Sequence, residues 1–282
     1  MMAQLIDRRR LKADTRELLR SAQVNPRAMA ALYLLLILII NLADALAGGM
    51  GSGLLGTFVA VLALLLSVVL SAGFTLYCMA VRRGQRAEFI MLFDGFSFVG
   101  KVIGLSLLTA LFIFLWSLLF VIPGIVAGYR YRFAMYNLCE NPELNVLEAL
   151  DMSKRQTMGY KGQLFVLDLS YLGWGLLASL PSLIQTGYLY VMILRDPYAY
   201  MTDPTFLASA AFLSLAASVG CWIWSTVVQI FYLPHYQCVE LGYFDIAKRT
   251  SGVGADVQPP SQEDWGDGRD SGWDSPDDLG GY

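Results

Sequence analysis

Long apolar runs alternate with short polar segments along this chain, and each run is apolar on every side of a helix. The runs cover residues 28–46, 54–81, 102–121, 124–139, 164–190 and 206–233. Roughly 20 helical residues cross the hydrocarbon core of a bilayer. The two-residue alternation that is typical of a transmembrane barrel does not occur in these runs. The pattern therefore predicts an all-α fold, a polytopic bundle of about six transmembrane helices.

Composition supports the membrane class. The 282-residue chain is 56% hydrophobic and only 15% charged, and its mean hydropathy is +0.52. Both values lie far from those of soluble domains. The cysteines are scattered, and the chain has one histidine: Cys78, Cys139, Cys221, Cys238 and His235. We therefore expect no metal site, no disulfide framework and no cofactor.

Three segments differ in composition. Residues 1–27 are basic, residues 28–250 hold the apolar runs, and residues 251–282 are acidic and rich in Gly, Ser and Pro. The last segment has too few apolar residues to form a core, so it is predicted to be a disordered tail. Trp265 and Trp273 in this tail are either contact points for a protein partner or incidental aromatics.

The placement of Lys and Arg predicts the topology. Basic residues are concentrated in residues 8–27, 82–101 and 154–161, whereas the opposing loops hold only Arg195. Basic loops are cytoplasmic in membrane proteins, so we expect both termini to be inside. Basic loops on both sides of residues 102–139 require an even number of crossings between them. We therefore predict two spans joined at Pro123 and Gly124, with a re-entrant segment 124–139 as the alternative.

Two further segments have the pattern of amphipathic helices. In the N-terminal segment one stripe is largely apolar: Leu11, Thr15, Leu18, Leu19 and Ala22. This pattern predicts a helix on the anionic lipids of the inner leaflet; the alternative is a solvated basic lead-in. Residues 145–158 begin with the capping pair Asn145 and Glu148, and their predicted apolar face is Val146, Leu147, Leu150 and Ser153. This second helix either docks a protein partner or packs beneath its own bundle.

Arg130 and Arg132 lie inside an apolar run, shortly after the helix-breaking Pro123 and Gly124. An arginine at the centre of a membrane helix costs roughly 2.5–3.5 kcal/mol, so it faces a partner or a polar interior. Asp168, in the next apolar run, is predicted to lie at a similar depth. We consider three arrangements: an ion-pair network that includes Asp168, arginines that extend to the inner interface, and a water-filled cavity.

The middle of the chain resembles a family of bacterial integral membrane proteins catalogued as domain of unknown function 975. The resemblance rests on ordered blocks, of which the most specific together are Ile122-Pro123-Gly124 and Leu169-Ser170 followed by Gly173-Trp174. Further blocks lie at residues 92–96, 116–125, 129–132, 140–142, 148–150, 153–154, 158–159 and 165–174. The resemblance extends over roughly residues 5 to 245. It implies a multi-span protein of the bacterial cytoplasmic membrane and carries no catalytic role.

These observations favour a non-enzymatic scaffold or accessory protein of the membrane. The alternative is a transporter or lipid-handling protein with an anionic-ligand site near Arg130 and Arg132, since broken helices form such sites. Common catalytic motifs are missing from the sequence, so we expect no enzymatic activity. Expected partners are anionic inner-leaflet lipids and a protein bound by the tail or by residues 145–158. We expect no nucleic-acid partner.

Overall fold

The protein is a bundle of α-helices. The computed structural model describes residues 4–22, 24–49, 53–195 and 204–254, and no strand occurs within these ranges. A 3₁₀ helix covers Phe89–Phe98. The α-helices are α1 Arg8–Ser21, α2 Pro26–Gly49, α3 Leu54–Arg82, α4 Val99–Leu119, α5 Val121–Arg130, α6 Ala134–Glu140, α7 Val146–Gln156, α8 Lys161–Leu169, α9 Leu172–Arg195 and α10 Pro204–Ser251. The predicted all-α, polytopic membrane bundle is confirmed.

Five helical stretches among the described residues are long and apolar enough to cross a membrane. They are Pro26–Gly48, Leu54–Arg82, Phe89–Leu119, Leu172–Arg195 and Ala216–Ser251. The sequence pattern predicts about six, and the difference lies at residues 124–139. This part of the chain forms the 10-residue helix α5 and the 7-residue helix α6 in place of one continuous span.

Helices α5 and α6 nevertheless return the chain to the end of the bundle where α4 begins. The Lys101 ammonium, near the start of α4, donates a hydrogen bond to the carbonyl of Pro142, just after α6, at 2.5 Å. We call residues 121–140 the return limb. Its two helices amount to roughly 25 Å at the usual rise per residue. The chain therefore leaves this end of the bundle after Lys101 and has returned to it at Pro142, which is compatible with the predicted even number of crossings.

The turn between α4 and the return limb lies at Phe120. This residue has an extended backbone (φ −160°, ψ 153°), and α5 begins directly after it. The helix break therefore lies at Phe120 and not at the predicted Pro123 and Gly124. These two residues lie in the first turn of α5, where proline is tolerated because the first amides of a helix have no helical partner. A Cβ on Gly124 would overlap the Ser117 side chain of α4, so glycine permits the close approach of the two helices.

The buried core occupies one end of the bundle. We call the end that contains Arg82, Val99 and Pro142 the core end, and the end that contains Leu54 and Phe120 the distal end. Large side chains of the core end are fully buried, among them Tyr77, Phe133, Leu164 and Tyr243. At the distal end large apolar side chains are exposed: Leu54 92%, Leu118 75% and Leu194 79%. Such a surface is suited to lipid rather than to water.

Helix α1 packs against the core end. Its N-cap is Asp7, whose carboxylate accepts hydrogen bonds from the amides of Arg9 and Arg10. The predicted stripe lies inward: Thr15 is buried, and Leu11, Leu18, Leu19 and Ala22 pack on the core. The N-terminal segment also lies along α8. The Ile6 amide donates a hydrogen bond to the Gln163 side chain at 3.1 Å, and the Lys12 ammonium donates one to the Ser170 hydroxyl at 2.8 Å.

Helix α7 has the predicted start but a different buried face. The Glu148 carboxylate accepts a hydrogen bond from the Asn145 amide at 3.1 Å. The buried residues are Ala149, Leu150, Ser153 and Gln156, whereas Leu147 is 64% exposed. The predicted face of Val146, Leu147, Leu150 and Ser153 is wrong at Leu147. The buried face of α7 is partly polar because Ser153 forms hydrogen bonds with backbone groups of the return limb.

The predicted disordered tail lies mostly outside the described residues, and so do Trp265 and Trp273. Helix α10 ends at Ser251.

Candidate functional site

Arg132 lies in a non-helical joint within the return limb. Helix α5 ends at Arg130, α6 begins at Ala134, and residues 131–133 connect them. We call these three residues the joint. A side chain at a joint is not confined to a helical face, so Arg132 can contact two different helices.

Two carboxylates bind the Arg132 guanidinium. Asp168 of α8 accepts hydrogen bonds from Nη1 at 2.6 Å and from Nη2 at 3.0 Å, a bidentate pair. Glu240 of α10 accepts from Nε at 2.5 Å and from Nη2 at 3.3 Å. The planar guanidinium suits this geometry because its donors match the two oxygens of a carboxylate.

Tyrosine hydroxyls complete the cluster. Tyr129 and Tyr236 each donate a hydrogen bond to Asp168 at 2.7 Å, and the Arg132 Nη2 also contacts the Tyr236 hydroxyl. We call Tyr129, Arg132, Asp168, Tyr236 and Glu240 the Arg132 network. It connects the end of α5, the joint, α8 and α10.

The Arg132 network holds one cation and two anions. The Arg132 side chain is 21% exposed, that of Asp168 is 31% exposed, and that of Glu240 is 5% exposed. Removing one partner of a buried ion pair costs about 3–5 kcal/mol, because the remaining charge is left without compensation. The network therefore makes the position of the joint depend on α8 and α10.

Helix α7 satisfies the backbone of the joint. The Ser153 hydroxyl donates to the Arg130 carbonyl at 2.9 Å and accepts from the Phe133 amide at 3.1 Å. The Thr157 hydroxyl donates to the same Arg130 carbonyl at 3.2 Å. Backbone groups freed by a helix break are costly in an apolar setting. The polar face of α7 thus explains why the return limb can break at this position.

A second ion cluster closes the core end. Glu140, at the end of α6, pairs with Arg83 at 2.5 Å and with Lys248 at 2.7 Å. Arg82 pairs with Asp245 at 2.7 Å. These contacts connect α3, α6 and α10, but their groups lie on helix ends and are expected mainly to fix the helices in place.

The structure brings together two of the three residues predicted for the polar site. Arg132 and Asp168 form the bidentate pair, whereas Arg130 points elsewhere: its guanidinium lies 5.9 Å from the centre of the Tyr131 ring. Within the described ranges Arg130 forms no ion pair. Sequence reasoning missed Glu240 and Tyr236. Their signal was a short polar stretch after Pro234 with the two side chains one helical turn apart.

A groove lies beside the joint, between α4 and the return limb. Its volume is about 350 Å³, within the range of roughly 300–1,000 Å³ for small-molecule sites. Apolar residues form most of its lining, and the polar lining residues are Ser106, Thr109, Tyr131 and Arg132. The groove is open on one side and mainly apolar, with its charged group at the joint.

The fold and the joint define a polytopic membrane protein with a broken, charge-stabilised return limb. The family model described as protein of unknown function (DUF975) matches residues 118–214, which confirms the resemblance seen in the sequence. The match is narrower than the expected residues 5 to 245, but it includes the return limb and Asp168. A search of the curated proteins and a search of the solved structures each returned no match.

Proposed function

We propose that this protein is a non-enzymatic scaffold or accessory protein of the bacterial cytoplasmic membrane. The observation that supports this best is the closure of the Arg132 network, because Arg132 is bound by the chain's own Asp168, Glu240 and Tyr236. The deepest charges thereby hold helices together, and a substrate anion would have to displace two carboxylates. The core end faces the cytoplasm in this proposal, since Arg195 is the one basic residue that lies at the distal end among the described residues.

The partner surface of the scaffold is the outer face of α7 and its C-terminal turn. Leu147 is 64% exposed and Met158 is 66% exposed, although both residues lie outside the membrane-spanning stretches. Charged side chains surround them, including the Arg155–Asp151 pair at 2.5 Å. Apolar anchors with a charged rim are typical of protein interfaces.

Photo-crosslinking in cells tests this function. A photoreactive residue is placed at Leu147 or at Met158, with a matched control at Phe114, which is 62% exposed at the membrane-spanning part of α4. We expect one protein adduct of constant mass from the two α7 positions, lost when Asp151→Lys and Arg155→Glu reverse the charged rim. Lipid adducts alone at every position would contradict the scaffold function.

A lipid-handling function is the second candidate, and the groove supports it. A mainly apolar groove that opens sideways between two membrane helices can receive one chain of a lipid. Purification in native membrane patches, followed by mass spectrometry of the retained lipids, tests this candidate. A variant with a filled groove, Ala110→Trp, should retain less lipid than the unmodified protein.

A further inference from the structure

We infer that Arg130 and Lys161 bind the phosphate of an anionic phospholipid, one chain of which lies in the groove between α4 and the return limb. This inference rests on the lipid-handling candidate and names its ligand. It also assigns the binding cation to Arg130 and not to Arg132, because Arg132 is already paired with Asp168 and Glu240.

The two cations lie on helices that pack against each other, Arg130 at the end of α5 and Lys161 at the start of α8. The Tyr129 ring contacts the Phe165 ring edge to face, with 6.2 Å between centroids. Arg130 directly follows Tyr129, and Lys161 lies one helical turn before Phe165. Burial of Lys161 and the neighbouring Arg130 charge both lower the pKa of the Lys161 ammonium.

Within the part of the chain that the structure describes, no carboxylate pairs with either cation. The nearest carboxylate on α8, Asp168, is already bound by Arg132, Tyr129 and Tyr236. Two adjacent cations repel each other unless an anion bridges them, and a phosphate accepts hydrogen bonds from both.

Tyr131 connects the groove with Arg130. Tyr131 contacts the Arg130 guanidinium and also lines the groove. A molecule that fits both features has a phosphate at one end and an apolar chain at the other.

Lipid competition measured by native mass spectrometry tests the inference. The purified protein is offered phosphatidylglycerol and phosphatidylethanolamine with identical chains, and the ratio of the two bound lipids is recorded. We expect a preference for phosphatidylglycerol that falls about fivefold in Arg130→Gln and again in Lys161→Gln, since each cation near a membrane surface contributes roughly 1 kcal/mol toward anionic lipid. Lys154→Gln, a cation on α7, is the matched control and should keep the preference.

Two further measurements separate the possible outcomes. Inorganic phosphate added in excess should leave the bound phosphatidylglycerol in place; release by phosphate would show that the site takes a free anion and would overturn the lipid assignment. An unchanged lipid ratio in the Arg130→Gln, Lys161→Gln double variant would also overturn it. If the ratio is unchanged but Ala110→Trp loses both phosphatidylglycerol and phosphatidylethanolamine, the lipid-handling function is still supported. If the unmodified protein retains neither lipid, both the lipid-handling function and the phospholipid site are contradicted.

Discussion

At the scale of single residues, Arg132 is the central group of the Arg132 network, because it contacts Asp168, Glu240 and Tyr236. Its substitution leaves Asp168 and Glu240 facing each other without a cation, inside an apolar bundle. We expect Arg132→Gln to reduce the free energy of unfolding by about 3–5 kcal/mol. Thermal and denaturing-detergent unfolding of the purified protein would measure the loss.

The two carboxylates should differ in their coupling to Arg132. Glu240 is 5% exposed and Asp168 is 31% exposed, so water screens the Asp168 pair more strongly. Double-mutant cycles with Glu240→Gln and Asp168→Asn are expected to give the larger coupling energy for Glu240. A cycle on Arg155 and Asp151, which are 63% and 45% exposed, is the control and should give at most about 0.5 kcal/mol. Strict additivity in the Arg132 cycles would contradict the network.

At the scale of elements, the hairpin of α4 and α5 depends on one small residue. A Cβ at Gly124 would overlap Ser117, whereas a Cβ at Gly128, one turn later, would meet nothing within 4 Å. We expect Gly124→Ala to destabilise the protein by about 1–3 kcal/mol through overpacking. Gly128→Ala should be neutral or stabilising by up to about 1 kcal/mol, because alanine favours the helix.

Unfolding measurements on the two alanine variants side by side give the test. The substitution and the helix are the same in both, so helix propensity cancels in the comparison. Equal stabilities would mean that α4 and α5 do not approach closely at Gly124.

The joint within the return limb depends on α7. Replacing Ser153 by alanine removes the acceptor of the Phe133 amide, while Thr157 can still donate to the Arg130 carbonyl. One buried amide is left unsatisfied, so we expect Ser153→Ala to cost about 1–3 kcal/mol. Ser179→Ala is the control: this exposed hydroxyl bonds only its own helix at Leu176, and its loss should change stability by less than about 0.5 kcal/mol.

At the scale of the whole molecule, the return limb decides the topology. The contact of Lys101 with Pro142 shows that α4 begins and α6 ends at the same end of the bundle. We therefore expect cysteines at Glu88 and Lys154 to react with a membrane-impermeant thiol reagent from one side. A cysteine at Gly53 should react from the other side.

The labelling uses a background in which the four buried native cysteines are replaced by alanine. Intact cells and inverted vesicles expose opposite faces, so each position is assigned by comparing the two. Labelling of position 154 together with position 53 would mean that the chain does not return between α4 and α7.

The sequence alone determined the class of this protein and most of its helices. Hydrophobic periodicity and the 20-residue scale of the bilayer are local properties, and they identify apolar spans, the stripe of α1 and the cap of α7. They also brought Arg132 and Asp168 together as a hypothesis, because both charges lie at a similar depth in neighbouring apolar runs.

Only the tertiary structure decided how these charges are satisfied. Glu240 lies 108 positions from Arg132 in the chain, and nothing local to either residue shows that α10 meets the joint. The joint itself was invisible in the sequence, because its residues 131–133 are compatible with a helix. It is stable as a break because Ser153 of α7 and Thr157, the C-cap of α7, satisfy the freed backbone groups, and that contact exists only in the folded bundle.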